Sequence, residues 1–370
     1  MKRMGVFIFY DEAGIVDKYI EVLLSSMQGI LDRLTVIVNG SVRDEGYNKL
    51  KKYAQDIFVR ENIGFDAGGY KDAFIKFIPQ DDLKKWDEIV LFNDTFYGPF
   101  YPWNNIFDKM EKEKTDFWGL SRHNGGELEG RIISQHIQSF FLVCRKTMFL
   151  SDSWTEFWNG LRYPKDLQEA ILNFEVRFSS FFFERQFIGK AWSDRYRIEI
   201  PYGKNPYTVY IFELIKEIRF PIIKNKTVCL ARFVQMKKVF EYIAANTCYD
   251  INLIISHTER LQKTGRFNLL FPFDMEETEH FYNSHKKVFI YGCGNYGRGM
   301  ALYFGYKGWK YEGFLVTVKT EDREDIFAFD DINIGAEDGI ILALGKKAFC
   351  EVYPYIRNSL PQSQLLLPNQ

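Results

Sequence analysis

Two short stretches put a carboxylate where it could act on a ligand. The first is Arg60-Glu61-Asn62-Ile63-Gly64-Phe65-Asp66-Ala67-Gly68-Gly69-Tyr70, and the second is Glu88-Ile89-Val90-Leu91-Phe92-Asn93-Asp94-Thr95-Phe96-Tyr97-Gly98-Pro99. In each, an apolar strand ends in a loop with an acidic tip. Ligands of α/β sheets bind in the crevice outside the carboxyl ends of the strands. Asp66 and Asp94 are therefore read as two walls of one ligand site. Gly64, Gly68 and Gly69 allow close backbone approach, and a helix from Ala67 presents free amides. Asp66 would then contact the ligand's ribose or base. Ordinary turn chemistry offers a competing account: Asp66 as a helix N-cap, and Asn93-Asp94 as a turn closing a strand.

The elements that must position these loops alternate in type. Val6 to Phe9, Leu34 to Val38, Asp56 to Val59 and Glu88 to Phe92 read as strands. Between them, apolar residues at helical spacing (Val16, Ile20, Leu23, Leu24, Met27, Ile30) predict a helix, as do Tyr47 to Ala54 and Ala67 to Ile78. This predicts an α/β fold, a mostly parallel sheet flanked by helices. The strand runs are continuously apolar, as burial on both faces requires. Further strands are expected at Thr115 to Leu120 and Gln138 to Cys144, and a helix over Leu167 to Phe187. The loop Ser121 to Arg131 carries His123 and two glycines, and Pro201 to Pro206 reads as loop. Ile222 to Gln262 reads as helical, with Val228, Leu230, Phe233, Val239, Ile243 and Leu253 buried.

Composition sets limits. The 370 residues exceed one average domain, and 46% apolar content supplies substantial cores. Lys plus Arg at 48 against Asp plus Glu at 49 gives no general attraction to nucleic acid or anionic lipid. No run reaches a membrane-spanning length, and the start of the chain lacks a signal-peptide pattern. Five scattered cysteines without a Cys-x-x-Cys pair fit reduced thiols in a cytoplasmic protein.

Four strings in order carry a resemblance: Glu61-Asn62-Ile63-Gly64-Phe65-Asp66, Leu91-Phe92-Asn93-Asp94-Thr95-Phe96-Tyr97-Gly98-Pro99, Asp116-Phe117-Trp118-Gly119-Leu120 and His136-Ile137-Gln138-Ser139-Phe140-Phe141. With Asn205-Pro206 and Pro221, they resemble the rhamnan synthesis F (RgpF-like) family of bacterial glycosyltransferases, over roughly residues 1 to 225. The resemblance implies a GT-A-like fold and transfer of a sugar, rhamnose by default, from a nucleotide-sugar donor to a lipid-linked surface glycan. It also implies a divalent ion, Mg²⁺ or Mn²⁺, at the diphosphate. Asn93-Asp94-Thr95 stands where GT-A enzymes carry Asp-x-Asp, so Asp94 is the expected metal ligand, with the Asn93 amide oxygen, water and the diphosphate completing the shell. Tyr10 and Asp11 sit where the nucleoside binds, and Asn62, Gly64, Asp66 and Asn93 complete the donor set. Glu175 resembles the helix-borne base of inverting enzymes, with His136 and His123 as rivals for base or phosphate contact. Trp118 and Trp103 fit core packing better than acceptor stacking.

From about residue 285 a smaller Rossmann-like domain is expected, reached through a helical linker over residues 221–284 from a GT-A-like domain over 1–220. Lys287 to Tyr291 leads into Gly292-Cys293-Gly294-Asn295-Tyr296-Gly297 and a helix. The acid that would hold a ribose 2′-hydroxyl is missing, for Val316-Thr317-Val318 stands at the next strand end, so an intact NAD site is not expected. Nucleotide binding, docking and homo-oligomerisation stay open for this domain. The reading as a whole is a cytoplasmic glycosyltransferase touching the membrane only peripherally, through its acceptor lipid. An oxidoreductase or epimerase run by the C-terminal domain, and a non-catalytic glycan-assembly scaffold, are the alternatives.

Overall fold

The computed structural model describes residues 1–128, 130–195, 210–230, 233–263, 273, 275–319 and 323–368. The expected loop Pro201 to Pro206, with Asn205-Pro206, lies outside the described residues. The chain divides into two compact units, Met1–Val228 with Tyr242–His257, and Cys229–Glu241 with Thr258–Gln370.

The first unit is built on a seven-stranded sheet. Its parallel half is β1 (Arg3–Phe9), β2 (Arg33–Asn39), β3 (Asp56–Arg60) and β4 (Glu88–Asn93), in the spatial order β4-β1-β2-β3. Strand Phe141–Arg145 lies antiparallel beside β4, then Phe117–Gly119, then Gly189–Ala191 at the edge. The continuous apolar runs reflect this placement: every residue of β4 is buried, and six of the seven in β1. Even Glu88 is buried, because Arg3 and Arg145 both donate to its carboxylate, at 2.7 and 3.3 Å. The sheet is mostly parallel and flanked by helices, as the alternation predicts. Gly189–Ala191, three residues long, carries too little pattern to read as a strand from sequence.

Helices α1 (Lys18–Met27), α2 (Asp44–Lys51) and α3 (Phe65–Asp72) connect the parallel strands. Helix α3 starts two residues earlier than the spacing suggests and passes into a π-helical turn at Ala73–Phe77. The stretch from Leu167 to Glu184 is helical throughout, with a π-helical turn over Ile171–Val176. Its Phe174, Phe178, Phe181 and Phe182 pack with Trp154, Phe157 and Trp158 in the main core, so the aromatic run is structural. Trp103 and Trp118 are buried too and take no part in a surface cleft.

The segment expected to be helical from Ile222 begins as strand instead. Ile223–Lys224 pairs antiparallel with β5 (Phe96–Tyr97), and helices follow at Asn225–Leu230, Phe233–Asn246 and Asn252–Lys263. Val228, Val239 and Ile243 are buried as expected, while Ile254 is fully buried where Leu253 was favoured. The side chains of Leu230 and Phe233 lie outside what is described. Among the described residues no helix is long and apolar enough to cross a membrane.

The second unit holds a five-stranded, wholly parallel sheet, in the order Ile326–Ala328, Phe314–Val316, Lys287–Tyr291, Asp338–Leu342, Leu365–Leu366. Gly292 has φ of 101°, and a Cβ at Gly297 would stand 1.7 Å from the Gly292 carbonyl, so the tight turn and close helix packing both demand glycine. Tyr291 Oη and Thr317 Oγ1 are 2.9 Å apart at the strand ends, with Thr317 at the position where a ribose-binding acid would stand.

Candidate active site

The carboxyl ends of β1 and β4 meet at Asp94. The amide of Tyr10, just past β1, donates to Asp94 Oδ2 at 2.8 Å. The Asp94 carbonyl accepts from Tyr19 Oη on α1 at 3.0 Å and from Asn225 Nδ2 at 3.2 Å. Asn93 is buried at the end of β4 with both amide atoms engaged. Its Oδ1 accepts from the Thr95 amide at 3.1 Å and hydroxyl at 2.6 Å, and its Nδ2 donates to Asp66 Oδ2 at 2.5 Å. The expected ligand atom of Asn93 is thus committed to Thr95, and its amide nitrogen joins the two acidic loops.

Arg60 underpins the Asp66 loop. Its Nε donates to Asp72 Oδ2 at 2.6 Å, Nη1 to Asn39 Oδ1 at 2.6 Å and Nη2 to the Ile63 carbonyl at 2.8 Å. Asn39 in turn donates to the Phe65 carbonyl at 3.0 Å. The loop turns through Gly64 and Phe65, at φ of 80° and 54°. A Cβ at Gly68 would come within 2.1 Å of the Ile63 carbonyl, so the helix can fold back onto the loop only through glycine. Gly64 occupies the N-cap position of α3, and Asp66 makes no capping bond. The turn-cap account of Asp66 therefore fails; its carboxylate reaches across to Asn93.

Glu175 stands on the long helix with 18% of its side chain exposed. Its Oε2 accepts from the Ser139 amide at 3.0 Å and hydroxyl at 2.9 Å, and its Oε1 lies 3.4 Å from His136 Nε2. His136 is buried, and its Nδ1 lies 2.8 Å from the Ser134 carbonyl, so both ring nitrogens face acceptors. His136–Ile137 pairs with Arg122–His123, which stacks the two imidazoles at 5.1 Å. His123 Nδ1 accepts from the Gly125 amide at 3.2 Å.

Burial and mutual charge set the protonation of this group. Desolvation raises Asp66 to about 6, with Glu175 adding to the rise and the Asn93 bond and Lys224 opposing it. Desolvation, then Asp66 and Asp11, push Asp94 well above the ordinary carboxylate range against the Tyr10 amide. Burial also works against the ionised form of Glu175, but His136, Lys224 and Ser139 prevail and hold it at about 2. Burial, then His136, lowers His123. Desolvation lowers Lys224, whose charge Glu175 and Asp66 favour. Lys224 was not a candidate on sequence, because a helical reading of Ile222 to Gln262 hid its strand; Pro221 before two isoleucines was the signal of a strand start.

Tyr10, Asp66, Asn93 and Asp94 are thus brought together beyond the carboxyl ends of β1 and β4, whereas Gly64 faces Tyr163 and Pro164. A Cβ built on Gly40, at the end of β2, lies 3.7 Å from the Tyr10 ring and 3.9 Å from Asn62 Cβ. Asp11 is buried, and its Oδ1 accepts the Ala13 and Ile15 amides at 3.0 Å each, which shapes the loop after β1. Gly292, Gly294 and Gly297 belong to the second unit. Among the described residues no group of three or more His, Cys, Asp or Glu side chains could by itself hold a metal. Asp66 disfavours the charge on Asp94, and carboxylate oxygens are the donors that a hard cation takes. Asp94 Oδ2 carries the Tyr10 bond, and Asp94 and Asp66 are the oxygen donors available.

Residues 34–327 match the family described as rhamnan synthesis protein F. "Uncharacterized protein y4gN" of Sinorhizobium fredii is 21% identical over 293 residues, 78% of this chain and 67% of its own length. Virulence protein VirA of Vibrio anguillarum is 29% identical over 132 residues, 35% of this chain and 40% of its own. Among solved structures, the glycosyltransferase GlyE of Streptococcus pneumoniae aligns over 96% of this chain and 90% of its own, with 12% identity and a TM-score of 0.36.

Proposed function

The chain belongs to the rhamnan synthesis protein F family, and we propose that it is a glycosyltransferase that moves a sugar from a nucleotide-sugar donor to a bacterial surface glycan. The observation that carries this reading is the convergence of Asp66, Asn93 and Asp94 at the carboxyl ends of parallel strands. Rhamnose is the donor sugar the family name points to, and a lipid-linked glycan at the inner face of the cell membrane is the acceptor.

In this reading Tyr10 and Asn62 meet the nucleoside, while Asp66 and Asp94 meet the ribose and diphosphate end of the donor. Asp94 with Asp66 would hold a Mg²⁺ or Mn²⁺ ion, which neutralises charge on the diphosphate oxygens. Asn93 holds Asp66 in place through its 2.5 Å bond. Glu175 lies on the acceptor side. Held at about 2, it is ionised at neutral pH and accepts a hydrogen bond from the attacking hydroxyl. In a direct displacement the acceptor oxygen bonds to the anomeric carbon, and the bond from that carbon to the diphosphate oxygen breaks with its electron pair. The hydroxyl proton passes to Glu175 late, once bond formation to the anomeric carbon has made it acidic enough for so weak a base to take. His136, buried with both nitrogens facing protein acceptors, orients Glu175 and does not touch substrate.

The test is Asp94→Asn assayed with a panel of nucleotide-sugars and a glycan acceptor. Loss of the charge contact should cost several kcal/mol of transition-state stabilisation, at least about a hundredfold in rate. The melting temperature should hold or rise, since the wild-type carboxylate is strained by its surroundings. Undiminished transfer by the folded variant would remove the assignment.

A further inference from the structure

One cation stands opposite the acidic loops, and its placement is built rather than incidental. Ile223–Lys224 pairs with β5 in the register Ile223↔Tyr97 and Lys224↔Phe96, two residues beyond Asp94. Asn225 closes the zip: its amide donates to the Thr95 carbonyl at 2.9 Å and its Nδ2 to the Asp94 carbonyl at 3.2 Å. At the other end, the Phe100 amide donates to the Pro221 carbonyl at 2.7 Å. Gly98 lets the strands close, since a Cβ there would stand 2.6 Å from that same carbonyl. The strand thus carries Lys224 to the loop that bears Asp94.

The ammonium rests over the Phe140 ring, 4.6 Å from its centroid. Among the described residues the Lys224 ammonium makes no hydrogen bond and no ion pair; Asp66 and Glu175 act on it only through space. A desolvated ammonium without a direct partner is costly, and a ring face recovers only part of that cost. The charge of a divalent ion held by Asp94 and Asp66 is offset by those carboxylates, so the diphosphate of a donor beside it keeps negative charge for an ammonium to neutralise.

Resting on the glycosyltransferase reading above, we propose that Lys224 Nζ binds the diphosphate of the donor and takes up charge as it leaves. Lys224 would then share with a bound divalent ion the neutralisation of the diphosphate. Once the anomeric bond breaks, the electron pair stays on the diphosphate oxygen, and the ammonium donates a charge-assisted hydrogen bond to it without losing its proton.

Binding of inorganic pyrophosphate, UDP, GDP and dTDP to the full chain, measured by titration calorimetry with and without Mn²⁺, tests this. Lys224→Met should weaken the best-bound diphosphate at least about tenfold, in the presence of Mn²⁺ as well as in its absence. Affinity for the corresponding nucleoside, which has no phosphate, should not change. Lys224→Arg, which keeps the charge, should bind diphosphate within a few-fold of wild type and serves as the folded reference should the methionine variant lose structure. In that event Lys224→Gln takes its place. Equal diphosphate affinity in wild type and a folded, uncharged variant overturns the role of Lys224 and leaves the site standing. Failure of the wild type to bind any of the four probes overturns the nucleotide-sugar site itself.

Discussion

Asn93 Nδ2 donates to Asp66 Oδ2 at 2.5 Å, and this bond ties the end of β4 to the start of α3. It also opposes the desolvation that lifts the Asp66 carboxyl, because a donor to a carboxylate favours its ionised form.

Asn93→Ala should therefore move Asp66 further up from about 6. If Asp66 must be ionised to meet the donor, the acidic limb of the transfer rate shifts to higher pH in the variant. The pH dependence of kcat/KM measures this directly. An acidic limb that stays in place would mean that Asp66 is not the group that titrates. The variant also leaves the Thr95 amide and hydroxyl without their acceptor, which should cost about 1–3 kcal/mol in denaturant unfolding.

Asp66 and Glu175 should shape stability against pH in opposite senses. The Asp66 carboxyl is raised from 3.8 to about 6, so between those values the native state binds more protons than the unfolded chain and stability falls as pH rises. Asp66→Asn removes this penalty and should stabilise the protein above pH 6 by about 1–2 kcal/mol while abolishing transfer. The Glu175 carboxyl is lowered from 4.5 to about 2, so its contribution is full above 4.5 and is lost as pH falls towards 2. Glu175→Gln should destabilise at neutral pH by about 2–3 kcal/mol, a gap that closes on acidification through that window. Urea unfolding of the three proteins at several pH values checks both signs.

The alternation of strand and helix was legible because parallel strands buried on both faces must be apolar along their whole length, as β4 and β1 are. The two acidic loops were legible for a related reason: a polar residue at the end of such a run has no structural neighbour to explain it. What stayed hidden has a local cause in each case. Lys224 sits in a two-residue strand, too short for any periodicity, whose partner β5 is equally short. Arg60 reads as the polar end of β3, and only the folded chain reveals that its guanidinium reaches Asn39, Ile63 and Asp72 at once. The pairing of His123 with His136 depends on a two-residue ribbon of the same hidden kind. Asn93 was read as a ligand because a sequence shows an amide oxygen but not that Thr95 already holds it.

The Arg60 cluster yields the last prediction. The side chains of Arg60 and Asp72 are 8% and 5% exposed, and Nε meets Oδ2 at 2.6 Å. Tyr163 Oη donates to Asp72 Oδ1 at 2.6 Å, and Lys76 lies 2.8 Å from the same oxygen. Removing the guanidinium leaves Asp72 those two partners, so the carboxylate keeps part of its neutralisation and the native unit should persist. The other two ends of Arg60 matter more for the site. Without Nη2 the Ile63 carbonyl loses its donor, and without Nη1 Asn39 loses the bond that fixes its amide beneath Phe65. Arg60→Ala should then lower stability by about 3–5 kcal/mol, as expected when one partner of a buried ion pair is deleted. It should also raise KM for the donor more than it lowers kcat, because the loop bearing Asn62 and Asp66 loses its footing while Glu175 and Ser139 keep theirs. Arg60→Lys should rescue some stability through Asp72 but little of the KM, since one ammonium cannot reach three acceptors in a fork. A variant with normal donor KM at a temperature where it is fully folded would show that the guanidinium serves the fold and not the loop.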